Sequence, residues 1–379
     1  MKILHTSDWH IGKVLKGRSR LDEQIAAIAN VIDIARQEKP DLILVAGDLH
    51  DNAQPSPEAT KVVTRALTAL RATGADVVAI GGNHDNGAAL DALRPWADAA
   101  GITLRGRVSD RVEDHVIAGT TRGGERWRCV ALPFLSQRYA VRALEMFSLT
   151  EAQAQATYAD HVSRLLSVFA QEPQAGVVNL IMGHMTVVGG LMGGGEREAH
   201  TILGYAVPTS VFPANTHYVA LGHLHRAQVM FGPCPVRYSG SPIAIDFGEE
   251  ENASSVTMVE VSADTTAKAR VVPVPVAVPL RTIRGTVEQL AALEVGEAWL
   301  RVYVTEPTRA GLREQIQEMF PRALEIRVDP GDLSQKARAV RAGRSAPELF
   351  ADYLEQRGST DPHTQALFDR LYDEVSTVS

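Results

Sequence analysis

The chain has 379 residues, 45% of them apolar and 22% charged, with a formal net charge of −7. That length holds a large α/β domain and a smaller second one, and 30 glycines with 19 prolines exclude collagen-like and disordered classes. No secretory leader or run of 18 apolar residues stands out, and Cys129 and Cys234 are too few for a disulfide framework, so a cytoplasmic protein with two buried thiols is expected.

Residues 1–10 form a short apolar run that ends in Asp8 and His10, which point the same way if the backbone is extended. Residues 12–20 then carry Lys13, Lys16, Arg18 and Arg20 among glycines, a basic loop leading into a helix over 21–37. Residues 42–46 are apolar at consecutive positions, as in a strand covered on both faces, and are followed by Gly47-Asp48. A turn-rich loop at 51–57 precedes a helix over 58–73, and the strand 76–80 ends in Gly81-Gly82-Asn83-His84-Asp85. Successive β-α units of this kind imply right-handed crossovers, with ligands outside the carboxyl ends of the strands.

Residues 96–107 read as a helix-to-strand passage, and 121–132 as an antiparallel hairpin through Arg122-Gly123-Gly124. A helix over 149–170 precedes the strand 177–182 and His184. Five glycines punctuate 186–198, which reads as a mobile loop beside the site. A further strand ends in Gly222-His223-Leu224-His225, and 229–236 and 256–261 read as strands that complete the sheets. Proline-rich 263–279 suits an extended connector or edge strand. Beyond it, 281–287, 298–305, a helix over 309–319 and a strand over 324–328 form a β-β-α-β unit. After a linker at 332–340, Ser345 and Glu348 look like the N-cap pair of a short helix, and 362–375 reads as a last amphipathic helix. The expected domains are 1–265, a linker 266–280, a second domain 281–335, and a linker with terminal helices over 336–379.

Five apolar strands thus deliver carboxylate, amide or imidazole at their carboxyl ends: Asp8, His10, Asp48, Asn83, His184, His223 and His225. Hard divalent ions need carboxylate oxygens, and the added histidines suit manganese, iron or zinc better than calcium. Seven donors exceed one four-coordinate site and suit two ions sharing a carboxylate, with Asp48 as the natural bridge. Such a pair, about 3.5 to 4 Å apart, clamps both oxygens of an in-line phosphoryl displacement. His84 is the candidate general acid, and Asp51 and Asp85 the candidates for orienting imidazoles.

Asp8-x-His10, Gly47-Asp48, Gly81-x-Asn83-His84-Asp85, Gly183-His184 and Gly222-His223-x-His225 resemble the complete motif set of the calcineurin-like metallophosphoesterases. Within that superfamily, residues 222–228, 238–242 and 246–249 closely resemble bacterial SbcD-type DNA exonuclease subunits. The resemblance implies a four-layer α/β/β/α sandwich with a small β-β-α-β capping domain that contacts DNA. It implies two manganese ions, one held by Asp8, His10, Asp48 and His225 and the other by Asp48, Asn83, His184 and His223, with His84 and Asp51 catalytic. It also implies 3′ to 5′ cleavage of duplex ends, endonucleolytic opening of hairpins and single strands, and a nuclease homodimer. The partner would be an SbcC-like coiled-coil ATPase, gripped through Tyr353, Leu354, Phe368, Leu371 and Tyr372.

An acidic protein meets DNA through local cations, and Lys13, Lys16, Arg18 and Arg20 are the best placed for phosphates. Arg105, Arg107, Arg122, Arg126, Arg128 and Arg138 are weaker choices, and nothing resembles a base-reading element. The alternative reading is a metallophosphoesterase for small phosphodiesters or phosphoproteins, since the surroundings of such a site set its substrate.

Overall fold

The computed structural model describes residues 1–109, 111–135, 151–170, 175–196, 206–328, 350–351, 354, 363–368 and 370, with no side-chain account of 151–157. Strand β1 (Lys2–Thr6) is followed by α1 (Leu21–Glu38), β2 (Leu42–Val45), α2 (Pro57–Arg71), β3 (Asp76–Ile80) and β4 (Ile102–Arg105). Then come β5 (Val116–Thr120), β6 (Arg126–Leu132), α3 (Glu151–Phe169), β7 (Val177–His184) and β8 (Tyr218–Gly222). The strands β9 (Gln228–Met230), β10 (Val236–Tyr238), β11 (Ser255–Ser262) and β12 (Thr265–Pro273) complete two six-stranded sheets. The first is ordered β12-β11-β1-β2-β3-β4 and the second β9-β10-β8-β7-β6-β5. From β1 to β4 all pairings are parallel, as are those joining β6, β7, β8 and β10.

Burial on both faces explains the uninterrupted apolar runs. Ile3, Leu42 and Leu44 face Trp127, Cys129, Leu180 and Ala220 of the other sheet, whereas Leu4, Ile43 and Val45 face Ile28 and Val31 of α1 and Val63 and Leu67 of α2. On the far side, Val130, Ile181 and Val219 pack on Tyr158, Val162 and Leu166 of α3. Each such side chain contributes about 1.5–3 kcal/mol through burial, so three cores fix four layers, α/β/β/α, and hold the strand ends in place. Local signals agree: Ser56 caps α2 by accepting from the Ala59 N–H, with Pro57 in the first turn.

Some expectations need correction. Residues 229–236 are not one strand but the antiparallel pair β9 and β10, broken between them by Gly232, Pro233 and Pro235. The proline-rich stretch begins as edge strand β12, whose pairing with β11 ends at Pro273. Farther on, β13 (Leu280–Gly285), α4 (Val287–Ala291), β14 (Trp299–Val304), α5 (Leu312–Met319) and β15 (Ala323–Val328) include a helix absent from the expected β-β-α-β order. Thr286 and Gln289 form a reciprocal capping box that starts it.

The chain divides into two compact units, Met1–Thr282 with Val295–Arg301, and Ile283–Glu294 with Val302–Ser379. In the second, Phe350 stacks on Phe368 at 4.0 Å between ring centroids. The expected anchors Tyr353, Leu371 and Tyr372, Arg138, and the linker at 332–340 lie outside the described residues. Among the described residues no helix is long and apolar enough to cross a membrane, and both cysteines are buried and free.

Candidate metal centre

The seven expected donors converge where the carboxyl ends of the two sheets meet. β1 stops at Thr6, so Asp8 and His10 are not aimed by extended backbone as expected. They turn inward through left-handed φ values of 55° and 48°, as do Asp48 at 51° and His223 at 100°. Such backbone costs about 1–3 kcal/mol per residue and persists only where the surroundings over-determine it. Here they do: Asp8 N–H donates to the Gly47 carbonyl and His10 N–H to that of Asp48, each at 3.0 Å. Glycine allows the closeness, since a Cβ on Gly82 would fall 2.1 Å from Asp48 Oδ1 and one on Gly47 2.3 Å from His184 Nδ1.

Ligand atoms of Asp8, His10, Asp48 and His225 lie within 4.8 Å of one another, as do those of Asp48, His184 and His223. Asp48 belongs to both groups, and these four residues and those three are buried. Asn83 joins the second group: its Oδ1 lies 2.9 Å from His184 Nε2 and 2.8 Å from His223 Nδ1. The carboxylates are aimed by backbone donors, His223 N–H to Asp8 Oδ1 at 2.9 Å and His84 N–H to Asp48 Oδ1 at 2.8 Å.

The chemistry of this donor set fits divalent cations. His184 meets the Ala46 carbonyl through Nδ1 at 2.8 Å, so the neutral ring donates there and turns the Nε2 lone pair toward Asn83 Oδ1 and Asp48 Oδ2. His225 meets Glu249 through Nδ1 at 2.5 Å, which turns its Nε2 lone pair toward His10 Nε2, 3.0 Å away. Lone pairs facing one another in a buried pocket require a proton or a metal between them. Protons supply that charge in the metal-free chain. Burial works to lower His184 and His225, but Asp48 outweighs it for the first, holding it up to about 9, and Glu249 for the second, up to about 10. Burial prevails at the other two, pushing the Asp8 carboxyl up to about 6 and His10 down to about 4.

His84, 5% exposed, stands edge-on to His10 at 4.5 Å between centroids. Its Nδ1 donates to the main-chain carbonyl of Asp51 at 2.7 Å. The Asp51 carboxylate instead lies 3.6 Å from His10 Nδ1 and 3.4 Å from Lys13 Nζ. Asp85 orients no member of the ligand group. It accepts from the N–H groups of Leu49, His50 and Gly82 and from His50 Nδ1, tying the two ligand loops together.

The basic loop is a small hairpin, Val14–Leu15 against Arg18–Ser19, turning at Lys16 and Gly17. Lys16 and Arg18 are exposed and Lys13 half-buried. Arg18 stacks over the Trp299 ring at 4.4 Å. Arg20 is no phosphate contact: it is 1% exposed, with its guanidinium near the Ala244 carbonyl and the Glu23 carboxylate. The glycine-rich loop lies beside the site as expected, but its glycines serve close packing. A Cβ on Gly195 would fall 2.0 Å from Glu249 Oε1, and Gly193 and Gly194 donate to Glu196, which also accepts from the His225 N–H. Sequence reasoning missed Glu249 and Glu196 as supports of His225. Glu249 sits in the 246–249 motif, which was the available signal, while Glu196 had none.

A family model described as calcineurin-like phosphoesterase matches residues 1–227, and one described as type 5 capsule protein repressor C-terminal domain matches residues 276–358. The SbcD component of nuclease SbcCD from Bacillus subtilis (strain 168) is 32% identical over 339 residues, spanning 86% of this chain and 85% of its own. The protein of that name from Rhodobacter capsulatus is 36% identical over 315 residues, covering 78% of this chain and 75% of the relative. That from Escherichia coli (strain K12) is 29% identical over 301 residues, covering 77% and 73%.

Proposed function

We propose, for a chain that belongs to the calcineurin-like phosphoesterases and, within them, to the SbcD nucleases, a metal-dependent hydrolysis of DNA phosphodiester bonds. Asp8, His10, Asp48 and His225 would hold one ion, and Asp48, Asn83, His184 and His223 the other; the mixed donor set accepts manganese, iron or zinc, and the likeness to SbcD nucleases favours manganese. When bound, the ions generate a nucleophile from water at neutral pH and neutralise charge on the phosphoryl oxygens. His84, its Nδ1–H held by the Asp51 carbonyl, carries on Nε2 the proton given to the leaving oxygen. Glu249 and Asp51 orient the imidazoles of His225 and His10. Lys13, Lys16 and Arg18 bind phosphates on the approach to Asp8 and His10, a sequence-independent role.

The observation that carries this reading is one pocket of seven donors, six of them buried and Asn83 half-buried, with Asp48 common to both groups. The chain acts in the cytoplasm as a homodimer with an SbcC-like ATPase, which Tyr353, Leu354, Phe368, Leu371 and Tyr372 engage. It degrades duplex ends 3′ to 5′ and cuts hairpins and single strands. A labelled duplex and a labelled hairpin, incubated with manganese and with or without the ATPase, test it. Degradation that Asp48→Asn abolishes is expected, and hydrolysis of cyclic nucleotides or phosphoproteins with no cut in any DNA would sink it. That second reading keeps one observation in its favour, a nucleotide-sized cavity beside Asn83.

A further inference from the structure

Residues 238–242, Tyr-Ser-Gly-Ser-Pro, supply no ligand, yet the turn they form at the end of β10 lies against Asp8 and His225. Gly240 takes a left-handed φ of 74°, and a Cβ there would fall 2.7 Å from the Ala227 nitrogen and 2.9 Å from the His225 carbonyl oxygen. That closeness lets the Ser241 N–H donate to the His225 carbonyl at 3.0 Å, while the Ser241 hydroxyl lies 2.7 Å from the carbonyl of Asp8. Tyr238 faces the α3 core. Ser239, next along the chain, turns the other way and meets the hydroxyl of Ser7, which follows β1 of the other sheet, at 2.8 Å.

Counting protons gives this contact a direction. The Ser7 hydroxyl lies 2.6 Å from Asp8 Oδ2, and an ionised carboxylate only accepts, so the single Ser7 proton goes to Asp8. Ser7 then has only lone pairs to offer Ser239, whose own proton goes to Ser7 in preference to the Gly240 carbonyl at 3.2 Å. A hydroxyl relay therefore runs one way, from Ser239 through Ser7 to Asp8. All three residues are fully buried, so bulk water does not compete for these donors. The other Asp8 oxygen, Oδ1, takes the His223 N–H at 2.9 Å, and the carboxylate cannot turn without breaking one bond or the other.

We propose that Ser7 and Ser239 are positioning residues for the ion on the Asp8 side, a relay that crosses from one sheet to the other and fixes the plane of the Asp8 carboxylate before metal arrives. The inference rests on the two-ion reading of the centre and deepens it, naming residues that act without touching an ion. Preorganised donors of this kind set how tightly a ligand group holds its metal. Ser239 acts only through Ser7. Without Ser7 its proton falls to the Gly240 carbonyl and no longer bears on Asp8. The relay ends on Asp8, a member of the first ligand group alone, so the ion of the Asn83 side is spared.

The test is a manganese titration of the full-length chain, followed by loss of the free-ion electron paramagnetic resonance signal, which gives two successive binding constants. Ser7→Ala should weaken one constant by about 10–100-fold. Ser239→Ala should weaken the same constant by about 3–10-fold, the scale of one neutral hydrogen bond. The double variant should match Ser7→Ala within about twofold, because members of one network do not add. The other constant should stay within about twofold throughout. Ser7→Cys and Ser239→Cys keep the volume and weaken the donor, so they carry the same expectation where an alanine variant does not fold. Additive losses in the double variant, equal losses in both constants, or no loss in Ser7→Ala would each overturn the relay while leaving two ions in place. An unaltered chain that takes up no manganese overturns the two-ion reading itself.

Discussion

The two halves of the candidate metal centre share Asp48 and differ in the groups that back their imidazoles. Around Asp8, His10 and His225 stand three further carboxylates: Glu249 on the His225 ring, Asp51 facing His10, and Glu196 on the His225 main chain. On the other side, the described groups that touch the His184 and His223 imidazoles from behind are neutral, the Ala46 carbonyl on His184 Nδ1 and the Phe134 ring beside both, while the Asp85 carboxylate reaches only the main chain of the Asn83 loop, at Gly82. Negative charge close to a buried cation weighs heavily at low effective dielectric. The Asp8 half should therefore fill first and hold its ion, while the Asn83 half fills later and leaves its ion the stronger electrophile. The halves also face different surfaces, a basic hairpin on one side and a cavity lined by Asn83 and Phe134 on the other.

The harshest test removes what the halves share. Asp48→Asn should cost on the order of 10³-fold or more in cutting, the scale of losing electrostatic stabilisation at the reacting phosphoryl group, and should empty both halves by elemental analysis. Asn83→Ala should separate them, taking the metal count from two to one with the ion left on the Asp8 side. If instead the Asp8 half empties, the charge argument is wrong. Glu249→Gln should weaken the first ion by about 10–100-fold in a competition titration and spare the second.

Proton linkage gives a gentler probe. His184 and His225, held up to about 9 and about 10 without metal, are protonated at pH 7.5 and must lose that proton to coordinate. Metal binding should release protons, so affinity should climb as pH rises from 6.5 to 8.5. Calorimetry in two buffers of different ionisation enthalpy would count them, and identical apparent enthalpies would contradict the linkage. Smallest is Arg18→Ala, which should flatten the log-affinity against log-salt slope for duplex DNA by about 0.9 with kcat unchanged. Arg20→Ala, at a buried guanidinium, should lower the thermal midpoint and leave that slope alone.

Much of this centre was legible because each donor follows an apolar strand, and strands buried on both faces are read from consecutive Leu, Ile and Val. The identities of Asp8, Asp48, His184 and His225 needed nothing more. How they converge was not legible, since left-handed turns at Asp8, His10 and Asp48 occur in residues with side chains, where only glycine announces such backbone. Arg20 misled for a similar reason. A basic run reads as one solvated face, yet the hairpin turn sends its last cation inward to Glu23. The Asp51 carboxylate faces an imidazole as read, that of His10, but Asp51 meets His84 through its carbonyl, a group that every residue carries. The α4 helix was legible in Thr286 and Gln289 and was overlooked, being one turn and a half long.

Asp85 has a consequence for the heat of metal loading. By receiving Leu49, His50 and Gly82 it locks the loops that present Asp48 and Asn83, and the strand ends beneath them are already packed. Among the described residues no segment has to fold around the ions, and no apolar surface there leaves water when they arrive. Loading should therefore carry almost no heat-capacity change, and chelation should strip the centre reversibly from a chain that stays folded.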